Sequence, residues 1–314
     1  MSFCNSFAIK NIYDVQGKNA LLKGNIYIPE TEIKGIVLIV HGMAEHRKRY
    51  NVFCNFLADN GFITYVYDQL GHGETAGSIE NLGYMDDKDN LEAMLEDVYI
   101  VNKSLQKDFN KENKLKFYLL GHSMGSFISQ RYTQVYPDTI DGLILSGSSI
   151  TKSPLYFFGR LFSKVIVLFK GRKYRSKLLD TLSFGAYNNK IDKPKTSFDW
   201  LSVNEENVRN YINDEYCGTI FSASYFYDLM KMFKKINKNF KSINKDLPIY
   251  IFGGSDDPVS SMGKGLIRLN KKYLQNGQND VELMLYNGLR HETLLEENYQ
   301  EIHKNVLNWL KKHQ

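Results

Sequence analysis

Short apolar runs alternate with longer amphipathic stretches between residues 35 and 149, and this alternation limits the possible folds more than any other feature of the sequence. It predicts successive strand–helix–strand units on a parallel sheet. The predicted strands are 35–40, 62–67, 117–120 and 143–145. Each is almost continuously apolar, as a strand covered on both faces should be. The predicted helices between them are 50–60, 90–110 and 124–136.

The alternation stops after Ser149, and residues 150–245 resemble irregular helices rich in aromatic residues and lysine. It resumes with predicted strands at 249–252 and 281–286 and helices at about 262–274 and 299–312. We therefore predict an α/β core formed by residues 1–149 and 246–314, interrupted by a helical cap at 150–245. Segments 7–13 and 20–28 flank a turn at 16–19 and predict an antiparallel hairpin at the sheet edge.

The composition excludes several classes of protein. With 43% hydrophobic residues and a mean hydropathy of −0.38, the chain resembles an ordinary soluble globular protein. No stretch reaches the roughly 18 unbroken apolar residues of a membrane-spanning helix, and the first residues lack the pattern of a secretory signal. The scattered Cys4, Cys54 and Cys217 show no paired spacing, so we expect reduced thiols and a cytoplasmic protein.

The sequence Gly121-His122-Ser123-Met124-Gly125 has the G-x-S-x-G pattern of a nucleophile elbow. It directly follows one predicted strand and precedes a predicted helix, which is the context that such an elbow requires. Residues larger than glycine at positions 121 and 125 would clash in so tight a turn. Ser123 is therefore the predicted nucleophile.

A serine hydroxyl needs a neighbouring imidazole to take its proton, and His291 is the histidine whose position fits. It lies in the loop after the last predicted strand, at the carboxyl edge of the sheet where active sites of open α/β folds collect. The other histidines lie in the elbow, in the last helix or before the serine. We predict that His291 is the general base.

The imidazole in turn needs a carboxylate, and the loop after strand 249–252 offers Asp256 and Asp257. We prefer Asp257, because it stands at the far side of the turn where it can face His291, whereas Asp256 can stay solvated or cap the turn. The oxyanion of the tetrahedral intermediate needs two backbone donors. The predicted donors are the amides of Met43 and Met124.

These residues resemble the α/β-hydrolase superfamily and, within it, the monoacylglycerol lipase and lysophospholipase group. The resemblance is carried by segments 41–50, 68–73, 121–125, 254–259 and 290–292, and it extends over the chain from about residue 7. Two small departures are Ala44, where a glycine is common, and Glu215-Tyr216, where many relatives have Asp-Pro. The resemblance implies an α/β-hydrolase fold and a lid over an acyl pocket. It also implies hydrolysis of a single-chain lipid ester through an acyl-enzyme on Ser123.

The apolar segment 155–169 is too large for one helix to bury against the sheet, so part of it can line a pocket. Its first residues are the predicted substrate contacts: Leu155, Tyr156, Phe157 and Phe158. Ordinary packing of cap on core remains an equal alternative. Two other activities also remain open, a carboxylesterase or thioesterase acting on smaller substrates and a peptidase with the same triad. A non-catalytic binding protein is a third alternative.

Residues 170–177 contain five positive charges directly after this apolar segment. The pairing predicts reversible contact with an anionic membrane surface, and the alternative is a solvated basic loop. The net charge of +5 is too small to argue for a nucleic-acid partner. Since no His, Cys, Asp or Glu set has ligand spacing and no dinucleotide fingerprint fits, we predict neither a metal nor another cofactor.

Overall fold

An eight-stranded sheet forms the centre of the protein. The structure is a computed structural model and describes residues 9–85, 89–112, 114–150 and 153–314. Its main-sheet strands are β1 (Ile9–Ile12), β4 (Gly24–Ile28), β5 (Gly35–Val40), β6 (Phe62–Tyr67), β7 (Lys116–His122), β8 (Gly142–Ser146), β9 (Ile249–Gly254) and β10 (Val281–Tyr286). They lie in the order β1-β4-β6-β5-β7-β8-β9-β10. Strands β1, β4 and β6 pair antiparallel and all other neighbours pair parallel, which confirms the predicted mostly parallel α/β architecture.

The helices cover both faces of the sheet. They are α1 (Asn51–Asp59), α2 (Asn90–Phe109), α3 (Met124–Val135), α4 (Ser153–Lys170), α5 (Lys177–Asp180), α6 (Glu205–Asn213), α7 (Ala223–Lys238), α8 (Lys264–Asn276) and α9 (Tyr299–Lys312). Shorter helical turns occur at Arg47–Tyr50, Gly73–Ala76, Ile79–Asn81, Thr181–Gly185, Asn188–Lys190, Asp199–Leu201, Phe240–Ser242 and Thr293–Leu295. Helices α2, α3, α7 and α8 contribute to one buried core, and α1 and α9 to the other. The predicted core helices are thus confirmed to within about two residues at each end.

The predicted N-terminal hairpin is present but interrupted. Strands β1 and β4 form the antiparallel edge of the main sheet, while β2 (Val15–Gln16) and β3 (Leu21–Leu22) pair with each other as a separate ladder. The ladder breaks at Asp14, whose carboxylate accepts a hydrogen bond from the Gly24 amide and pairs with Lys23 at 2.8 Å. Positions 7 and 4, where the sequence places the start of the hairpin and a cysteine, lie outside the described residues.

Between β8 and β9 the described residues form helices and turns, joined by one isolated bridge between Arg175 and Ser222. Helix α4 packs mainly on α7, and α7 packs on α2 and α3 of the core. The inserted segment therefore lies over the carboxyl ends of the parallel strands. None of the helices in the described part of the chain combines the length and the apolar character needed to cross a bilayer.

Candidate active site

Ser123 lies at a sharp turn between β7 and α3, and its backbone is strained. Its φ and ψ angles are 51° and −118°, outside the regions that non-glycine residues ordinarily occupy. A Cβ atom added at Gly121 would lie 2.5 Å from the Gly125 carbonyl oxygen, and one added at Gly125 would collide with the Val40 carbonyl oxygen. Both glycines are thus needed for close backbone approach, and the turn has the geometry of a nucleophile elbow.

The structure brings Ser123, His291 and Asp257 together at the carboxyl edge of the sheet. The Nε2 atom of His291 lies 2.8 Å from Ser123 Oγ, and its Nδ1 atom lies 3.1 Å from Asp257 Oδ1. Asp257 is fully buried, whereas Asp256 is exposed and accepts a hydrogen bond from the Ser255 hydroxyl. Of the two acidic candidates, Asp257 therefore faces the imidazole and Asp256 faces solvent.

The pKa of His291 is raised above its ordinary value. Burial alone lowers this pKa, but the negative charges of Asp257, Glu292 and Glu45 together outweigh burial. The Trp200 ring of the inserted segment covers the imidazole, with the ring centroids 5.4 Å apart. The environment thus favours the protonated imidazole that proton transfer from a serine would create.

Met43 and Met124, whose amides are the predicted oxyanion donors, lie beside Ser123 in the wall of one cavity. Met124 is the first residue of α3, and Met43 stands in the loop after β5. The next residue, Ala44, has a φ of 57°, a conformation that glycine adopts more readily. Its carbonyl oxygen accepts a hydrogen bond from the Tyr211 hydroxyl at 3.0 Å, so α6 of the inserted segment helps to fix this loop.

A buried ionic cluster, which we call the Arg49 cluster, lies next to His291 and consists of Arg49, Glu45, Glu292 and Asn207. Arg49 Nη1 lies 2.9 Å from Glu45 Oε2 and 2.5 Å from Glu292 Oε1. Arg49 Nη2 donates to Glu292 Oε2 at 2.7 Å and to Asn207 Oδ1 at 3.0 Å. Asn207 Nδ2 donates in turn to Glu292 Oε2 at 2.8 Å. A side chain of α6 therefore completes a cluster in the core.

The Arg49 cluster holds two carboxylates for one guanidinium. Burial lowers the pKa of Arg49, but Glu292 and Glu45 hold it well above its ordinary value. Burial raises the pKa of Glu45, whereas Arg49 outweighs burial at Glu292 and lowers its pKa. Sequence reasoning missed this cluster, because residues so far apart in the chain give no spacing signal. The one available signal was that positions 45, 49 and 292 belong to segments that carry the family resemblance.

Two cavities meet at Ser123. The smaller, of about 80 Å³, is lined on its polar side by Glu45, Asp180, His291 and Glu292. The larger, of about 940 Å³, runs under the inserted segment and is lined mostly by apolar side chains of α3, α4 and α7. A cavity of this size is at the upper end for small-molecule sites. The site therefore offers a small cavity of mixed polar and apolar lining and a large cavity that is mostly apolar.

The four predicted substrate contacts on α4 have different positions. Phe158 lines the large cavity, together with Leu161, Phe162 and Val165 from the following turns. Tyr156 packs against the core, and Phe157 is exposed; neither belongs to the cavity wall. The side chain of Leu155 lies outside the described residues. The structure thus narrows the proposed contacts on this part of α4 to Phe158 and the turns that follow it.

Folding brings together two sets of residues with ligand-type side chains that sequence spacing does not reveal. They are His46, Asp214 and Cys217, and Asp280, Glu282 and His313. His46 Nε2 lies 2.8 Å from Asp214 Oδ2, a hydrogen-bond distance that ties the loop after β5 to the end of α6. Neither set shares a residue with the Ser123 site.

Comparison with known proteins identifies relatives that match most of the chain. The model of the family described as "Serine aminopeptidase, S33" matches residues 31–298. The monoglyceride lipase of Saccharomyces cerevisiae is 26% identical over 299 residues, covering 90% of this chain and 86% of the yeast protein. The monoglyceride lipase of Homo sapiens is 25% identical over 261 residues, covering 82% of this chain and 75% of the human protein.

Solved structures share the fold. A thermostable carboxyl esterase from Bacillus coagulans in complex with glycerol has a TM-score of 0.86 and 26% identity, covering 96% of this chain and 98% of the esterase. A soluble variant of the Saccharomyces cerevisiae monoglyceride lipase, in complex with a substrate analog, has a TM-score of 0.74 and 21% identity, covering 100% of this chain and 98% of the yeast protein. The α/β-hydrolase fold expected from the sequence is thereby confirmed.

Proposed function

The chain belongs to the "Serine aminopeptidase, S33" family, and we propose on that premise that it hydrolyses carboxylic esters of single-chain lipids, such as a monoacylglycerol or a lysophospholipid. The observation that carries this proposal is the position of Ser123, 2.8 Å from His291 Nε2 and at the wall of an apolar cavity of about 940 Å³. The names of the relatives, which include several monoglyceride lipases, support the same reaction.

In the proposed acylation step, Ser123 Oγ attacks the ester carbonyl while His291 Nε2 takes the hydroxyl proton. Asp257 holds the imidazole from the other side and stabilises its positive charge. The amides of Met43 and Met124 donate to the oxyanion. His291 then returns the proton to the leaving alcohol, and the acyl group remains on Ser123.

In the proposed deacylation step, His291 removes a proton from water as the water oxygen attacks the acyl carbonyl. The bond to Ser123 Oγ then breaks, His291 returns the proton to that oxygen, and the fatty acid is released. The two cavities suit the two parts of the substrate. The apolar walls of the large cavity favour a long acyl chain, since burial of each methylene contributes about 0.8 kcal/mol. The small cavity has the more polar lining of the two, and we assign the alcohol part to it. A carboxylesterase or thioesterase acting on smaller substrates would leave most of the large cavity unfilled, and a peptide would gain little from its apolar wall.

Fatty-acid release from a panel of monoacylglycerols and lysophospholipids, alongside p-nitrophenyl esters of increasing chain length, tests this proposal. We expect medium or long chains to be preferred and Ser123→Ala to lower kcat by about 10⁴ to 10⁶ while the fold is retained. A preference for acetate, or residual activity of Ser123→Ala above a hundredth of wild type, would contradict it.

A matched pair of variants tests the proposed acid. Asp257→Asn should cost far more activity than Asp256→Asn, because only Asp257 faces the imidazole, and the loss of the equivalent carboxylate in other triads costs about 10⁴ in kcat. Equal losses of activity in the two variants would contradict the assignment of Asp257, rather than Asp256, as the acid. Circular dichroism of both variants separates a catalytic loss from unfolding.

We also propose that α4 docks the protein reversibly on anionic membranes, where single-chain lipid esters occur. Three large apolar side chains of α4 are exposed and do not line the cavity: Phe157, Leu168 and Phe169. Leu161 and Val165, which line the cavity, are also exposed at its outer edge. Exposed lysines stand on and beside the same helix at positions 164, 170 and 177. An apolar face flanked by cations suits an interface with anionic lipid.

The basic residues of segment 170–177 have two kinds of surroundings in the structure: some contact the rest of the protein and others are exposed. Arg172 lies 3.5 Å from the buried carboxylate of Asp228, and Arg175 donates to the Glu80 carbonyl oxygen. These two arginines therefore tie the loop to the rest of the protein. Lys170 and Lys177, together with Lys164, are exposed and better placed to meet lipid headgroups.

Vesicle cosedimentation tests the docking proposal. We expect wild type to bind vesicles containing anionic lipid more strongly than neutral ones, and less strongly at high salt. Replacing Lys164, Lys170 and Lys177 with serine should remove this difference, since each cation near an anionic surface is worth about 1 kcal/mol. Replacing Lys107, Lys304 and Lys311, which are exposed elsewhere, is the matched control. Binding that ignores lipid charge, salt and the first three substitutions would overturn the proposal.

A further inference from the structure

The wall of the large cavity contains a single charged side chain among the described residues that line it. This residue is Arg268, on α8. The remaining wall is built mainly from aromatic and aliphatic side chains of α3, α4 and α7, with a few serines. The charge therefore stands out in a compartment whose other features suit an apolar chain.

Arg268 has no protein partner in the described part of the chain. Its Nε–H group is buried and donates no hydrogen bond to any described residue, and none of the ion pairs among those residues includes its guanidinium. Arg49, in contrast, is held between two carboxylates. Partial burial of a guanidinium without a counter-charge is unfavourable, so an anionic ligand at this place would gain an unshared partner.

Besides Ser123 and Ser183, two further serines line the same cavity as Arg268. Ser149 follows strand β8, and Ser261 stands in the turn between Asp257 and α8. That turn is strained, because Ser261 and Met262 have φ angles of 57° and 56°, which side-chain-bearing residues rarely adopt. Backbone strain of this kind concentrates at functional sites. The polar groups of the large cavity thus include two hydroxyl donors besides the guanidinium.

We propose that Arg268 binds the carboxylate of a long-chain aliphatic acid whose hydrocarbon chain occupies the large cavity. A guanidinium offers a carboxylate two parallel N–H donors, and the apolar wall accommodates the chain. The inference deepens the proposed function, since hydrolysis of a lipid ester releases such an acid. The small cavity is a poor place for a carboxylate, because Glu45, Asp180 and Glu292 line it.

The carboxylate can come from two sources. One is the fatty acid released by the reaction, bound again in the reverse direction with its carboxylate at Arg268. The other is an acyl chain whose far end carries a carboxylate while its ester lies at Ser123. The first source produces product inhibition and the second produces substrate preference, so binding and kinetics distinguish them.

Calorimetric titration of the full chain with dodecanoate and with dodecan-1-ol, below their aggregation concentrations, tests the first source. We expect Arg268→Gln to weaken dodecanoate binding about tenfold or more, as loss of a charge-assisted hydrogen bond should, and to change dodecanol binding far less. Arg268→Lys should restore part of the affinity. Lys264→Gln removes a charge one turn earlier on α8, outside the cavity wall, and should behave as wild type.

The second source is tested with the mono-p-nitrophenyl ester of dodecanedioic acid and with p-nitrophenyl dodecanoate. The ratio of their kcat/KM values should fall about tenfold in Arg268→Gln if the carboxylate at the chain end meets Arg268. If Arg268→Gln weakens dodecanoate binding or lowers the ratio of kcat/KM values, the proposal is supported and the source of the carboxylate is identified. If Arg268→Gln affects the charged and the neutral ligands equally in both experiments, the proposal is overturned. Calorimetry needs no turnover, so the carboxylate site can be found even if the proposed lipid hydrolysis is not.

Discussion

Two regions of the inserted segment are attached to the protein in very different ways. Residues 199–213, in the middle of the insertion, are hydrogen-bonded to the loop that carries His291, and we call them the anchored segment. Helix α4, at the start of the insertion, is attached mainly by packing on α7, and many of its apolar side chains are exposed. The anchored segment is therefore built into the proposed active site, whereas α4 covers the cavity.

The bonds of the anchored segment cluster around His291. Arg290 donates to the carbonyl oxygens of Asp199 at 2.7 Å and Ser202 at 3.0 Å. The Glu292 amide donates to the Leu201 carbonyl oxygen at 2.7 Å. The anchored segment therefore helps to hold the proposed general base, so damage to it and damage to α4 should have different consequences.

The largest effect should follow from removal of Arg49, where the core, the His291 loop and the anchored segment meet. Arg49→Met leaves Glu45 and Glu292 buried without their cation, which costs about 3 to 5 kcal/mol of unfolding free energy. We also expect kcat to fall by about 10² as His291 loses its fixed position. Denaturant unfolding and ester kinetics measure both, and the exposed Arg209→Met on α6 is the control. An unchanged stability would show that the Arg49 cluster is not an anchor.

A smaller effect should follow from cutting only the link to the anchored segment. Asn207→Leu removes the hydrogen bonds to Arg49 and Glu292, at a cost of about 1 to 3 kcal/mol. We expect kcat for a soluble ester to fall about tenfold with little change in KM, because the general base moves and the cavity does not. Asn210→Leu, on the exposed face of the same helix, should match wild type. A change confined to KM would place the role of Asn207 in substrate binding instead.

The pH dependence of kcat/KM gives a further test of the anchored segment. His291 must be neutral to accept a proton, and its pKa is raised, so kcat/KM should rise with pH along a limb above the ordinary histidine range. Asn207→Asp adds negative charge beside Glu292, which favours the imidazolium and should move this limb to still higher pH. Asn207→Leu adds no charge and should not move it upward. Identical profiles for the two variants would contradict the electrostatic coupling.

The sequence predicted the core better than the inserted segment, for physical reasons. Core strands were found because a strand covered on both faces is continuously apolar, and Ser123, His291 and Asp257 were selected because chemistry and chain order limit the candidates. Asn207 and Arg268 could not be selected, because a lone polar residue on a helix gives no local signal of its partner. Part of segment 155–169 was expected to line a pocket or meet a membrane, but the sequence did not say which residues are exposed, since an apolar helix has the same pattern whether its outer face is covered or not.

The smallest effect should follow from changes at the outer end of α4. Leu168 and Phe169 are 76% and 78% exposed and do not line the cavity, so their replacement by serine removes few packing contacts. We expect stability to change by less than about 0.5 kcal/mol and kcat/KM for a soluble short-chain ester to stay within about twofold, because neither His291 nor the cavity wall is touched. Binding to anionic vesicles should weaken, since apolar area is lost from the proposed membrane contact.

Serine substitutions at two buried positions of α6, Val208 and Tyr211, provide the contrast. There we expect both the stability and kcat to fall. Loss of soluble-ester activity in the Leu168 and Phe169 variant would mean that the last turn of α4 also supports the proposed active site. The proposed difference between α4 and the anchored segment would then disappear.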